Sequence, residues 1–146
     1  MFKVLLADDH VLIRELLKNF IQIESEHEVG LVGSYDEVKE EIVRNGVYDL
    51  ILLDYDMPGA SGPEGVKEIV KMNRPGAVAL FTGVANRSVG ERAIADGAQG
   101  IVPKGLPTKT VRAAIDFMLA GEIYTPFEYL IGERTPDLSK IVAREM

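Results

Sequence analysis

Residues 47–62 read VYDLILLDYDMPGASG. The apolar residues Leu50 to Leu53 run directly into Asp54, and a second acid, Asp56, follows before a Pro-Gly turn. An unbroken apolar run, without in/out alternation, predicts a strand covered on both faces. Desolvating a charge is costly, so an acid at the end of such a strand is neutral, paired or in use. Working outward, runs of the same type recur as KVLLA from 3, EVGLVG from 28, AVALF from 77 and GIV from 100. Between them, apolar residues fall at helical spacing: Val11, Leu12, Leu16, Leu17, Phe20 and Ile21, then Val38, Ile42 and Val43, then Val66, Ile69 and Val70, and finally Val111, Ala114, Ile115 and Met118. Ser34 with Glu37 forms a capping box, Pro63 sits near a helix start, and Gly121 can end the last helix. Five strand–helix alternations predict an α/β fold, a doubly wound parallel sheet with right-handed crossovers.

One helical segment is weak. Asn86 to Gly97 (NRSVGERAIADG) has few large apolar residues and an internal glycine, which costs roughly 1 kcal/mol against alanine. Its low stability fits either a poorly packed edge helix or an element that moves. After Gly121 the strand pattern stops, and Thr135-Pro136 predicts the start of a helix carrying Leu138, Ile141 and Val142.

Composition removes several classes of function. The 146 residues suit one domain, and 47% hydrophobic with 27% charged residues fits a soluble globular chain. There is no cysteine, hence no disulfide framework or thiolate metal site, which fits a reducing compartment. The opening MFKVLLADD is too short and too acidic for a signal peptide or membrane span. A formal net charge of −7 argues against generic nucleic-acid binding by this chain. Two histidines, His10 and His27, exclude a His-rich metal site. His10, beside Asp9, is expected in the first turn of the first helix with a structural role.

In an open α/β sheet, ligands bind beyond the carboxyl ends of the strands. The residues just after the apolar runs are Asp8 and Asp9, Asp54 and Asp56, Thr82, and Lys104. Convergence of these residues at one rim would set several carboxylates in mutual repulsion, which a divalent cation relieves. Hard oxygen ligands suit Mg²⁺ or Mn²⁺. A hydroxyl and an ammonium group beside that cation suit a phosphoryl group, with Asp54 attacking in line. Taken singly, the acid pair reads as a helix cap, Thr82 as a turn residue and Lys104 as a surface lysine; the site rests on the ordered set.

That set resembles the receiver domains of two-component response regulators. The resemblance covers residues 2 to about 120 and rests on VLLADDH, LILLDYDMPGASG, Thr82 after AVALF, and GAQGIVPK ending at Lys104. It implies a flavodoxin-like (βα)5 three-layer sandwich, with a parallel five-stranded sheet in order 2-1-3-4-5. It implies that Asp54 accepts a phosphoryl group from a sensor histidine kinase or phosphotransfer protein. Asp8 and Asp9 would position Mg²⁺ (or Mn²⁺), with Asp54 and the backbone carbonyl of Asp56 completing the protein's share of its shell. Thr82 and Lys104 would bind phosphoryl oxygens. ADDHVLIRELL and GEIYTP look like the LuxR/NarL-type regulators, in which a DNA-binding helix-turn-helix domain follows the receiver. The expected division is therefore a receiver over 1–121 and, over 122–146, a tail or the start of a linker to an output domain outside this chain. Cytoplasmic location, no membrane partner, DNA contact only through that output domain, and binding of a second copy or a partner domain on phosphorylation all follow from the resemblance.

The chain departs from the family at several positions. The switch position three before the lysine, usually aromatic, is Ile101, whose branched side chain can still fill or vacate a gap. Pro103 restrains the backbone before Lys104, and Gly105 stands where many relatives have proline. Asp56 and Val84 flank the water's approach to an acyl phosphate, two residues beyond Asp54 and Thr82. Two other functions share part of this pattern. A haloacid-dehalogenase-type phosphatase shares the Asp54–Asp56 spacing but needs an acid pair after the lysine and a cap domain. A pseudo-receiver interaction module would rest on Ile101 and Pro103 alone.

Overall fold

The computed structural model describes residues 1–23, 26–59, 62–83 and 87–126. Strands β1 (Lys3–Ala7), β2 (Glu28–Val32), β3 (Leu50–Asp54), β4 (Ala77–Thr82) and β5 (Gly100–Pro103) alternate with helices α1 (Val11–Ile23), α2 (Tyr35–Asn45), α3 (Pro63–Met72), α4 (Arg87–Ala95) and α5 (Thr108–Leu119). All strand pairs are parallel, and their order is β2-β1-β3-β4-β5, as the resemblance implied.

The pleat sends alternate strand residues into two cores. Leu5, Ala7, Ile51, Leu53, Val78 and Leu80 pack with Val38, Ile42, Val66, Ile69 and Ala93 of α2, α3 and α4. Val4, Leu6, Leu50, Leu52, Ala79, Phe81 and Val102 pack with Leu17, Ile21, Val111, Ala114 and Ile115 of α1 and α5. The central strand β3 is buried over its whole length because both of its faces are covered. Its entry is fixed by Asn73, which is fully buried yet fully used. Asn73 Oδ1 accepts from Tyr48 N at 2.8 Å, while Nδ2 donates to Tyr48 O at 3.1 Å and Ala77 O at 3.0 Å.

Local signals behave as their chemistry requires. Ser34 caps α2, its hydroxyl accepting from Glu37 N at 3.2 Å; the Glu37 carboxylate reaches back to Gly33 N at 3.1 Å. Pro63 opens α3, and Gly121, at φ +97°, follows the cap of α5. The weak helix forms as α4 and buries only Gly90 and Ala93. Helix α1 departs from its apolar periodicity: Leu17 and Ile21 are buried, but Val11, Leu12 and Leu16 are exposed.

The chain does not leave the sheet at Gly121. Tyr124 forms a parallel bridge with Gly100, accepting from Ile101 N at 2.9 Å and donating from its own N to Gln99 O at 3.1 Å. Residues 122–126 thereby cover the free edge of β5. Gly100 permits this close approach, since a Cβ there would lie 2.6 Å from Tyr124 O and 2.7 Å from Met118 Sδ. The helix expected from Thr135-Pro136 lies outside the described residues.

Candidate functional site

Four of the five strands deliver a candidate residue to the same rim. Asp8 follows β1 and Asp54 ends β3; Thr82 ends β4 and Lys104 follows β5. Parallel pairing sets the strand ends side by side, so residues far apart in sequence converge. Lys104 N donates to Thr82 O at 2.8 Å, continuing the β4–β5 ladder past Pro103 and fixing the base of the Lys104 side chain.

The Lys104 ammonium lies between two buried carboxylates. It donates to Asp54 Oδ2 at 2.9 Å and sits 2.9 Å from Asp8 Oδ2, outside hydrogen-bond alignment for the latter. Both acids are 2% exposed at the side chain and Lys104 13%. Asp54 Oδ1 accepts from Asp56 N at 3.1 Å, and Asp8 Oδ1 accepts from His10 N at 2.7 Å. Asp9 and Asp56 lie at the exposed mouth of the site. Thr82 is buried at its edge, and Ile101 is buried three residues before Lys104.

The two buried acids respond differently to one ammonium. Burial pushes the Asp8 carboxyl up, but Lys104 and the hydrogen bonds from His10 outweigh it and hold it below the ordinary value. For Asp54, burial prevails over Lys104 and the Asp56 N–H, helped by the nearby Asp8 charge, and its carboxyl is raised. Burial also disfavours the Lys104 ammonium, yet Asp8 and Asp54 together raise it above the usual lysine range. Asp54 thus sits where burial disfavours its charge and the Lys104 ammonium offsets part of that cost.

His10 is placed differently from the sequence expectation. It precedes α1 and caps it through its carbonyl, which accepts from Arg14 N at 3.1 Å; it does not occupy the first turn. Because its backbone N–H binds Asp8, its ring turns toward the acids, with Nδ1 2.7 Å from Asp8 Oδ1 and 3.4 Å from Asp9 Oδ1. One ligand atom each from Asp8, Asp9, His10 and Asp54 lies within 4.8 Å of every other. Sequence reading missed the ring because a residue after an acid pair can equally face solvent. Only the hydrogen bond back to Asp8 decides its direction.

The pattern of response regulator receiver domains matches residues 4–116. The chain belongs to the response regulator receiver family. That membership sets aside the phosphatase alternative. The chain is 30% identical to a glycerol metabolism activator of Pseudomonas putida, with 86% of this chain and 58% of that protein covered. It is 27% identical to the response regulator UvrY of Escherichia coli K12, over 85% of this chain and 57% of UvrY. It therefore spans under two thirds of the length of these relatives. Among solved structures, a LuxR family DNA-binding response regulator from Silicibacter pomeroyi superposes with a TM-score of 0.77 at 28% identity, covering 88% of this receiver and all of that chain. Among the described residues, no helix is long and apolar enough to cross a membrane.

Proposed function

We infer that this receiver is a phosphorylation-controlled signalling switch with Asp54 as phosphoacceptor. The observation that carries this reading is the Lys104 ammonium lying 2.9 Å from both Asp8 and Asp54, at the rim where β1, β3, β4 and β5 end. A carboxylate oxygen of Asp54 attacks the phosphorus of a sensor kinase's phosphohistidine. The P–N bond breaks with its electron pair leaving on the imidazole nitrogen, and an acyl phosphate remains on Asp54. Lys104 then exchanges its bond to Asp54 for one to a phosphoryl oxygen, and Thr82 supplies a second contact.

The donor set fits a divalent cation: clustered carboxylate oxygens, two of them from buried acids whose charges need balancing. Asp8, Asp9, Asp54 and the Asp56 carbonyl would hold Mg²⁺, which when bound neutralises charge on the phosphoryl oxygens. The buried Ile101, three residues before Lys104 at the family's switch position, would shift when Lys104 moves. The altered α4–β5–α5 face then binds a second copy or a partner domain.

The full regulator would act on transcription in the cytoplasm, through a DNA-binding domain outside this chain. The relatives' greater length and the Silicibacter protein's description as DNA-binding support this reading.

Intact-protein mass after treatment with acetyl phosphate tests the phosphoacceptor. One Mg²⁺-dependent phosphoryl addition is expected on wild type and none on Asp54→Asn. An addition that persists in Asp54→Asn would overturn the assignment. No addition, with no released phosphate, would make the chain a pseudo-receiver.

A further inference from the structure

Residues 122–126 lie as a strap along β5, held by few bonds that converge on Ile101. Tyr124 N donates to Gln99 O at 3.1 Å, and Ile101 N donates to Tyr124 O at 2.9 Å. Gln99 Nε2 adds a donation to Glu122 O at 2.7 Å. In a parallel ladder each strand bonds toward its neighbour at every second residue, and the next positions are Pro126 on the strap and Pro103 on β5. Neither has an N–H, so the pairing stops after one bridge. Among side chains, the half-buried Tyr124 ring meets the Phe117 ring edge-on, with centroids 6.5 Å apart. A segment held by a few exposed backbone bonds belongs to the low-stability end of a fold.

Ile101 joins this strap to the site. Its side chain is buried, while its N–H leaves β5 on the outer side, toward Tyr124 O. Three residues on, Lys104 N is fixed to Thr82 O at 2.8 Å, and the Lys104 ammonium reaches Asp54 Oδ2 at 2.9 Å. A shift of β5 at Ile101 therefore acts directly on the bond that holds Tyr124. With proline at both next positions, a displaced β5 gains no new ladder bond to the strap; it can only lose those it has. We propose that residues 122–126 form a releasable strap: phosphorylation of Asp54 weakens their pairing with β5, so that the segment following the receiver is no longer anchored there. This rests on the reading of Asp54 as phosphoacceptor. Because coupling is reciprocal, a receiver with a weakened strap binds a mimic of the phosphoryl group more tightly.

The test uses the full chain with Mg²⁺ and beryllofluoride, a phosphoryl mimic, on wild type, Asp54→Asn, Tyr124→Pro and Gln99→Ala. Tyr124→Pro removes the N–H given to Gln99 O. Gln99→Ala removes only the exposed side-chain bond to Glu122 O, and decides the matter if the proline variant does not fold. In wild type, beryllofluoride is expected to speed hydrogen exchange at the Ile101 and Tyr124 amides by about tenfold, as losing one or two backbone bonds would. Tyr124→Pro should bind beryllofluoride several-fold more tightly than wild type, and Gln99→Ala should change in the same direction by less. Unchanged or slower exchange at both amides would overturn the release. Folded strap variants that bind beryllofluoride no more tightly than wild type would overturn it as well. If wild type does not bind beryllofluoride, or Asp54→Asn binds it equally, the phosphoacceptor reading falls too. If binding depends on Asp54 but the strap amides do not respond, only the release falls.

Discussion

Removing the Lys104 ammonium would leave Asp8 and Asp54, each 2% exposed, facing one another without a cation between them. Lys104→Ala is expected to cost about 2–3 kcal/mol in the presence of a chelator, discounted from a fully buried pair for the lysine's partial exposure. Urea unfolding measures the loss, and saturating Mg²⁺ should recover part of it. A variant as stable as wild type in chelator would show that the ammonium does not balance these acids. For Asp54 the sign runs the other way. Its carboxyl is raised above 3.8 chiefly by burial, so the stability it contributes is complete below that value and lost as pH rises through the folded pKa. Asp54→Asn should therefore gain stability over wild type at neutral pH without metal, and the gain should vanish below pH 3.8. Unfolding curves across that range decide it. At this scale Asp8, Asp54, Thr82 and Lys104 were legible because strand ends in a parallel sheet share one rim. The His10 ring was not, because its direction depends on a backbone hydrogen bond that the sequence does not encode by type.

Helix α2 is tied to the entry of β3 by Tyr48, whose hydroxyl donates to Glu41 Oε2 at 2.8 Å. Burial, and then this bond to a carboxylate, push the Tyr48 phenol from 10.0 up to about 12. The stability it contributes is full below pH 10.0 and is lost as pH rises toward 12. Tyr48→Phe should remove that part of the alkaline loss; identical alkaline unfolding of the two proteins would contradict the tie. At the β5 edge of the sheet, Gly100→Ala would drive a methyl group into Tyr124 O and Met118 Sδ. About 1–3 kcal/mol of destabilisation is expected. Fast hydrogen exchange at the Ile101 amide, which otherwise donates to Tyr124 O, would show that residues 122–126 had been displaced. This edge was not legible beforehand because residues 122–126 have no apolar run. They pair through their backbone, and the glycine that admits them lies in a different element. The exposure of Leu12 and Leu16 escaped for a related reason: periodicity gives a helix face but not the width of surface available to cover it.

Across the whole molecule, a rigid centre carries an adjustable side. Strand β3 and Asp54 at its end are buried. Helix α4 buries only Gly90 and Ala93, and is bordered by surface ion pairs such as Arg92 with Glu64 at 2.7 Å and Asp96 at 3.0 Å. Exposed pairs of this kind add little stability. The parallel, doubly wound sheet was readable from five apolar runs separated by helical segments, while its order came from the resemblance to receiver domains. The unequal strength of the helices was readable from α4's composition. In the proposed switch its coupling to the site would run through Lys104 and Ile101, beside β4 by the ladder that joins Thr82 to Pro103. The central claim is that phosphorylation of Asp54 reaches α4 and β5 through Lys104. Hydrogen exchange on phosphorylated wild type and phosphorylated Lys104→Ala, each confirmed by intact mass, tests it most directly. Wild type should change protection in α4 and β5 on phosphorylation, while Lys104→Ala should keep its unphosphorylated pattern there. The same change in both proteins would contradict the account.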